Sequence, residues 1–142
     1  MPTSSASATW QGGLKGGKGS FKGSSGFVAG DYSYATRFES AKGTNPEELI
    51  AAAHASCLSM ALSAGLEKAG TPATSITTSA TVTLEFPGGN PRLTKVRLVV
   101  RGKVAGIDQA TFQQAAEEAK NGCPISNVLK GNLEMELDAK LE

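Results

Sequence analysis

Two thiols and one imidazole are the side chains of this chain best suited to covalent chemistry: Cys57, Cys123 and His54. A thiolate is a nucleophile, so a spaced pair of cysteines suggests attack by one sulfur and resolution by the other. A structural disulfide or two inert buried thiols are the plain alternatives, because free cysteine is among the most buried residue types. Cys57 lies deep in an apolar helical stretch, beyond the first turn where a helix dipole acts. Burial among alanines raises a thiol's pKa, so Cys57 needs a cation brought from elsewhere to become a nucleophile. Arg37, in Thr36-Arg37-Phe38-Glu39, is the nearest in sequence. His54, one turn before Cys57, is the other candidate, and a Cys–His pair would be activated as in thiol proteases. A lone histidine in an apolar helix is more commonly a hydrogen-bonded packing residue. Cys123 stands in Gly122-Cys123-Pro124 at a helix start, where backbone amides stabilise a thiolate, although small residues also occupy such positions for structural reasons.

The helix that must hold Cys57 is the clearest element of the sequence. Thr44 is a suitable N-cap, Pro46 is tolerated in the first turn, and Glu47 stands where a capping box needs its acid. Lys68 falls in the last turn, Gly70 fits a left-handed C-cap, and Pro72 blocks continuation. Between these limits nearly every position is small or apolar. A helix apolar on all sides must be covered on all sides, which a few strands of one small domain do not provide. An obligate homodimer is expected for that reason.

Around this helix the pattern is strand-like. Ala6, Ala8 and Trp10 alternate with polar residues, glycines punctuate short hairpin pieces up to Gly30, and a third strand is expected over Ser33 to Phe38. Further on, Ala80, Val82, Leu84 and Phe86, then Val96, Leu98, Val100 and Val104, alternate on either side of a Pro87-Gly88-Gly89-Asn90-Pro91 turn. Clean alternation predicts antiparallel sheet with one wet face. Asp108 caps a helix to about Lys120 with Phe112, Ala115, Ala116 and Ala119 at helical spacing; a short helix then runs to Lys130, and a last strand carries Leu133, Met135, Leu137 and Ala139 on one face. The order βββ-α-ββ-αα-β is an α+β pattern, with residues 1–142 read as a single domain.

Composition excludes several functions. Hydrophobic residues make up 39% and charged residues 19%, ordinary for a globular chain, and the net charge is +1. No strong field therefore recruits nucleic acid or an anionic membrane. Lys15, Lys18 and Lys22 alternate with glycines rather than aromatics and read as a solvated turn region. No unbroken apolar run of about 18 residues is present, so no membrane span is expected. The first residues lack a secretory pattern, so a cytoplasmic address is expected, where a cysteine pair is more often redox-active than structural.

The stretch Gly43-Thr44-Asn45-Pro46-Glu47-Glu48-Leu49-Ile50-Ala51-Ala52-Ala53-His54-Ala55-Ser56-Cys57, with Gly122-Cys123-Pro124-Ile125-Ser126, closely resembles the OsmC/Ohr family of thiol-dependent hydroperoxide reductases. The resemblance runs from Trp10 to the last strand. Thr-Arg-Phe-Glu at 36–39 and Gly-Ile-Asp at 106–108 look like its osmotically inducible (OsmC) branch. It implies an OsmC-like fold, with antiparallel sheets wrapped around central buried helices in an intertwined homodimer. It implies a peroxidatic role for Cys57, which would attack a hydroperoxide and become a sulfenic acid, and a resolving role for Cys123, which would close a disulfide with it. Arg37 matches the arginine that stabilises the thiolate and orients the peroxide, and Glu47 the carboxylate that holds this arginine. No metal or other cofactor is implied. The disulfide would be reduced by an external dithiol, which the resemblance suggests is a lipoylated protein.

Glu47 poses a geometric question. Ten residues along a straight helix separate it from Cys57 by about 15 Å, more than one side chain spans. Either the helix is interrupted, or Glu47 serves the partner subunit in a composite site at the dimer interface, or it only completes the capping box; Glu48 is the reserve candidate. The small and apolar residues around Cys57, with Leu58, Met60 and the aromatics Phe21, Phe27, Tyr32 and Tyr34, suit organic hydroperoxides over hydrogen peroxide, in oxidative or osmotic stress defence. The competing reading is a non-enzymatic, stress-induced ligand-binding dimer in which Cys57 merely packs.

Overall fold

The computed structural model describes all residues, Met1–Glu142. They form two compact units, Met1–Leu49 and Ile50–Glu142. The long helix α2 (Pro46–Lys68) begins in the first and continues in the second.

The first unit is an antiparallel meander of β1 (Ala6–Gln11), β2 (Lys18–Gly23) and β3 (Ala29–Tyr32), followed by the short helix α1 (Tyr34–Phe38). Gly19 of β2 is opposite both Trp10 and Tyr32. A Cβ there would run into both rings; without one, the Trp10 and Tyr32 rings meet over the glycine with centroids 5.5 Å apart. The third strand thus stops where the sequence places its start, and Ser33–Phe38 is a corrected expectation. The backbone amide of Thr36 donates to the Ser33 hydroxyl while the Ser33 amide donates to the Thr36 hydroxyl. This reciprocal cap closes a helical turn that the alternation of aromatic and small residues does not reveal. The unit contributes no side chain to the buried apolar core, so its sheet requires cover beyond its own residues.

The entry into α2 is also corrected. Asn45, not Thr44, caps the helix: its Oδ1 accepts from the Glu48 amide at 2.8 Å, and its Nδ2 donates to the Thr36 carbonyl at 3.2 Å. The shift by one residue takes Glu47 out of the capping box. Glu48 instead accepts from the Thr44 hydroxyl at 2.6 Å. At the other end Gly70 has φ 83°, and the Thr71 amide donates back to Leu66, closing the left-handed cap.

In the second unit β4 (Ala73–Glu85) and β5 (Arg92–Val104) form a long hairpin, joined by a 3₁₀ turn at Pro87–Gly89 where Gly88 and Gly89 both have positive φ. Helices α3 (Gln109–Gly122) and α4 (Pro124–Leu129) carry the chain back, and β6 (Glu134–Leu141) completes a sheet of order β4-β5-β6. The expected antiparallel sheet is corrected here: β5 and β6 are parallel. A helical crossover returns the chain to the end of the sheet from which β5 started, and such a return makes a parallel pair. Alternation along β6 records which face is dry but not the direction of its neighbour.

The core is built by Leu58, Leu62 and Leu66 of α2, Val96, Leu98 and Val100 of β5, Phe112 and Ala116 of α3, Cys123, and Ala139 of β6. Gly102 is opposite the Phe112 ring, which leaves no room for a Cβ. On α2 the dry stripe is His54, Leu58, Leu62 and Leu66, while Ala52, Ala53, Met60 and Ala64 on the remaining surface are exposed. Against the expectation of no such span, α2 is long and apolar enough to cross a bilayer by length and composition, with mean hydropathy 1.6 over 18 residues. Serines 56, 59 and 63 interrupt every apolar run without lowering that mean enough. Its leucine stripe is committed to the protein core.

Candidate functional site

Arg37 and Glu47 are brought together by the reversal between α1 and α2. Ser40 there adopts φ 59°, and Gly43 lies where a Cβ would strike the Thr36 methyl. Arg37 Nη2 donates to Glu47 Oε1 at 2.7 Å, and Nε donates to both carboxylate oxygens at 3.1 and 3.2 Å. Such a two-pronged contact fixes the plane of the guanidinium, not merely its position. Glu47 is buried, and the guanidinium also stacks 5.2 Å from the Phe38 ring centroid. With the Nε–Nη2 edge taken, Nη1 is left for a further acceptor. Arg37 lines a cavity of about 240 Å³ with Trp10, Leu14, Tyr32, Tyr34 and Phe38. Of the aromatics singled out in the sequence, Tyr32 and Tyr34 line it; Phe21 stacks behind on Tyr32, and Phe27 is exposed.

In the second unit the two cysteines meet. Their sulfurs are 2.9 Å apart and share a hydrogen bond, both thiols being free. Cys57 flanks the leucine stripe of α2 and is partly accessible, whereas Cys123 is fully buried. The Cys123 amide donates to Ala119 at the end of α3, and Pro124 then opens α4. Burial, then the neighbouring Cys123, push the Cys57 thiol up, and an amide bond from Ile125 offsets only part of this. Burial also acts upward on Cys123, but hydrogen bonds from the Cys57 thiol, the Ser126 amide and hydroxyl, and the Ile125 amide outweigh it and hold Cys123 below the ordinary thiol value. No lysine or arginine is among the groups that shift the Cys57 thiol.

His54 does not form a hydrogen-bonded pair with Cys57. Its Nε2 lies 2.7 Å from the Ser126 hydroxyl, its Nδ1 is buried without a partner, and the ring is fully enclosed. Burial pushes its pKa down, so the imidazole is neutral near pH 7. Ser126 is the site residue that sequence reasoning missed as a participant. Its signal was its place one helical turn after Cys123, which puts its hydroxyl on the cysteine's side of α4.

Residues 39–138 match the family described as "OsmC-like protein". That stretch contains Glu47, Cys57 and Cys123 and begins just after Arg37. The chain is 46% identical over 134 residues, 94% of each chain, to the protein named "Peroxiredoxin OsmC" of Escherichia coli (strain K12). It is 33% identical over 97 residues, 67% of this chain and 66% of the relative, to the "Organic hydroperoxide resistance protein" of Xanthomonas axonopodis pv. citri (strain 306). Among solved structures it is similar to the organic hydroperoxide resistance protein OhrB of Bacillus subtilis, with TM-score 0.77, 26% identity, and coverage of 96% of this chain and 98% of that one.

Proposed function

The chain belongs to the OsmC-like protein family, and we propose that it is a thiol-dependent peroxidase that reduces organic hydroperoxides through its two cysteines. The observation that carries this reading is the 2.9 Å approach of an accessible Cys57 sulfur to an enclosed Cys123 sulfur. The Cys57 thiolate attacks the distal oxygen of ROOH; the O–O bond breaks, ROH leaves with a proton, and Cys57 becomes a sulfenic acid. Cys123 then attacks the Cys57 sulfur, the S–OH bond breaks, and water leaves as the disulfide forms. An external dithiol, by family resemblance one carried on a lipoylated protein, returns both thiols and is itself oxidised to a disulfide.

Arg37, held by Glu47, supplies the cation that lowers the Cys57 pKa and orients the peroxide, and its apolar cavity receives the organic part of the substrate. We assign this pair to the partner's Cys57 in a homodimer with composite sites. Three observations support that assignment. Helix α2 is unbroken from Pro46 to Lys68, which removes an interrupted helix as a way of bringing Glu47 to Cys57. Its Ala52, Ala53, Met60 and Ala64 surface is exposed in one chain. The first unit has no apolar core of its own. We take the setting to be the cytoplasm under oxidative or osmotic stress.

Counting free thiols before and after one equivalent of cumene hydroperoxide tests the reading. Loss of both thiols together and their return on adding dithiothreitol are expected. Persistence of both thiols would overturn the proposal in favour of a ligand-binding dimer with an inert Cys57.

A further inference from the structure

We propose that His54 and Ser126 form a positioning relay for Cys123, in which the imidazole N–H holds the serine oxygen so that the serine hydroxyl donates to the Cys123 sulfur whenever that sulfur carries charge. The proposal rests on the two-cysteine reading and deepens it.

The buried stripe of α2 reads His54, Leu58, Leu62, Leu66. A leucine at the first position would continue it without any unpaired polar atom. The histidine instead leaves Nδ1 buried and without a partner, an arrangement that costs stability. Packing alone therefore gives no reason for an imidazole at this position; its single polar contact, 2.7 Å to Ser126, does. Both side chains are enclosed, His54 at 0% and Ser126 at 2% exposure, so water does not compete for either.

The proton positions follow from counting donors. Neutral histidine carries one N–H. With that hydrogen on Nε2, the Ser126 oxygen accepts it and the Ser126 proton is free to face Cys123. With the hydrogen on Nδ1, the N–H would be buried without an acceptor and Ser126 would donate to Nε2, which turns its proton away from Cys123, the residue one helical turn before it at the start of α4. A thiolate at Cys123 selects the first arrangement.

The relay matters most when the disulfide is opened. An incoming thiolate attacks the accessible Cys57 sulfur, the S–S bond breaks, and its electron pair leaves on Cys123. A stabilised leaving thiolate departs faster. The second thiol of the dithiol then attacks the mixed disulfide and releases Cys57. Stabilising Cys123 thus speeds re-reduction and directs the reductant to Cys57, leaving Cys123 free to re-form its thiol.

The test follows disulfide reduction by dithiothreitol at fixed pH, both its rate and its equilibrium constant, in Ser126→Ala, His54→Leu and His54→Gln. Ser126→Ala and His54→Leu are each expected to slow reduction and shift the equilibrium toward the disulfide by about tenfold, the scale of one hydrogen bond to a charged group. His54→Gln, whose amide N–H reaches toward the same oxygen, is expected to recover part of the loss. Rates and equilibria equal to wild type in all three variants would overturn the relay while leaving the cysteine cycle intact. A folded His54→Leu protein with raised melting temperature and unchanged reduction would mark His54 as packing only and equally overturn it. If the wild-type protein forms no disulfide with peroxide, the underlying peroxidase reading fails first, and the relay with it.

Discussion

Glu47 holds the Arg37 guanidinium through Nε and Nη2, with a shortest contact of 2.7 Å. Glu47 is free to do so because Asn45, rather than Thr44, caps α2, which makes Glu48 and not Glu47 the residue three past the cap. Neither partner reaches outside residues Met1–Leu49 for this contact, so the pair is assembled before any thiol is engaged. Arg37→Met is expected to slow oxidation of Cys57 by an organic hydroperoxide by about a hundredfold, the effect of removing one preorganised charge-stabilising donor. Glu47→Gln keeps the cation but loosens its plane, and a smaller loss is expected. Stopped-flow oxidation of each variant checks the ranking; equal losses would mean that Glu47 does more than orient Arg37.

Cys57 is a thiol pushed upward first by burial, and Arg37 is the group assigned to bring it back down. In a Cys123→Ser background, alkylation of Cys57 by iodoacetamide follows the thiolate fraction and rises with pH through the Cys57 pKa. Adding Arg37→Met is expected to move that midpoint to higher pH. A midpoint that stays in place would remove Arg37 from the role of counter-ion.

His54 gives stability a pH dependence whose sign is fixed. Its folded pKa lies below the ordinary value of 6.5 because burial disfavours the charged ring. Below pH 6.5 the unfolded chain takes up a proton that the folded chain refuses, so stability is present above this pH and is lost as pH falls. The limiting slope is about 1.4 kcal/mol per pH unit for one group. Urea melts of wild type and His54→Leu should diverge as pH falls from 6.5 toward the folded pKa, the variant keeping its stability. Parallel curves would mean that the folded state protonates His54 as readily as water does.

The second unit's core rests on the leucine stripe of α2. Leu62 is fully buried, and Leu62→Ala is expected to cost about 2–5 kcal/mol of unfolding free energy. Gly102→Ala, with the Phe112 ring in its way, should be destabilising in spite of adding one methyl to a strand. Urea denaturation measures both, and a neutral Gly102→Ala would show that the Phe112 ring moves aside freely.

Much of this was legible in the sequence, for local reasons. The limits of α2 are written in Pro46 and Gly70, and the dry face of β5 in Val96, Leu98 and Val100, because caps and side-chain periodicity are properties of neighbouring residues. The pairing of Arg37 with Glu47 and the approach of Cys57 to Cys123 came from family resemblance, since no periodicity relates residues on different elements. Three features stayed hidden. The turn at Ser33–Phe38 depends on a reciprocal side-chain cap that competes with strand-like alternation. The parallel β5–β6 pair depends on the path of α3 and α4. The His54–Ser126 contact depends on α4 packing against α2, and only the one-turn spacing from Cys123 to Ser126 pointed toward it.

The most direct test is the intact mass of the reduced protein after one equivalent of organic hydroperoxide, with Cys57→Ser and Cys123→Ser measured alongside. The account expects rapid loss of two hydrogens in wild type, gain of one oxygen on Cys57 in Cys123→Ser, and no change in Cys57→Ser. An unchanged wild-type mass over minutes, or oxidation that survives Cys57→Ser, would contradict it.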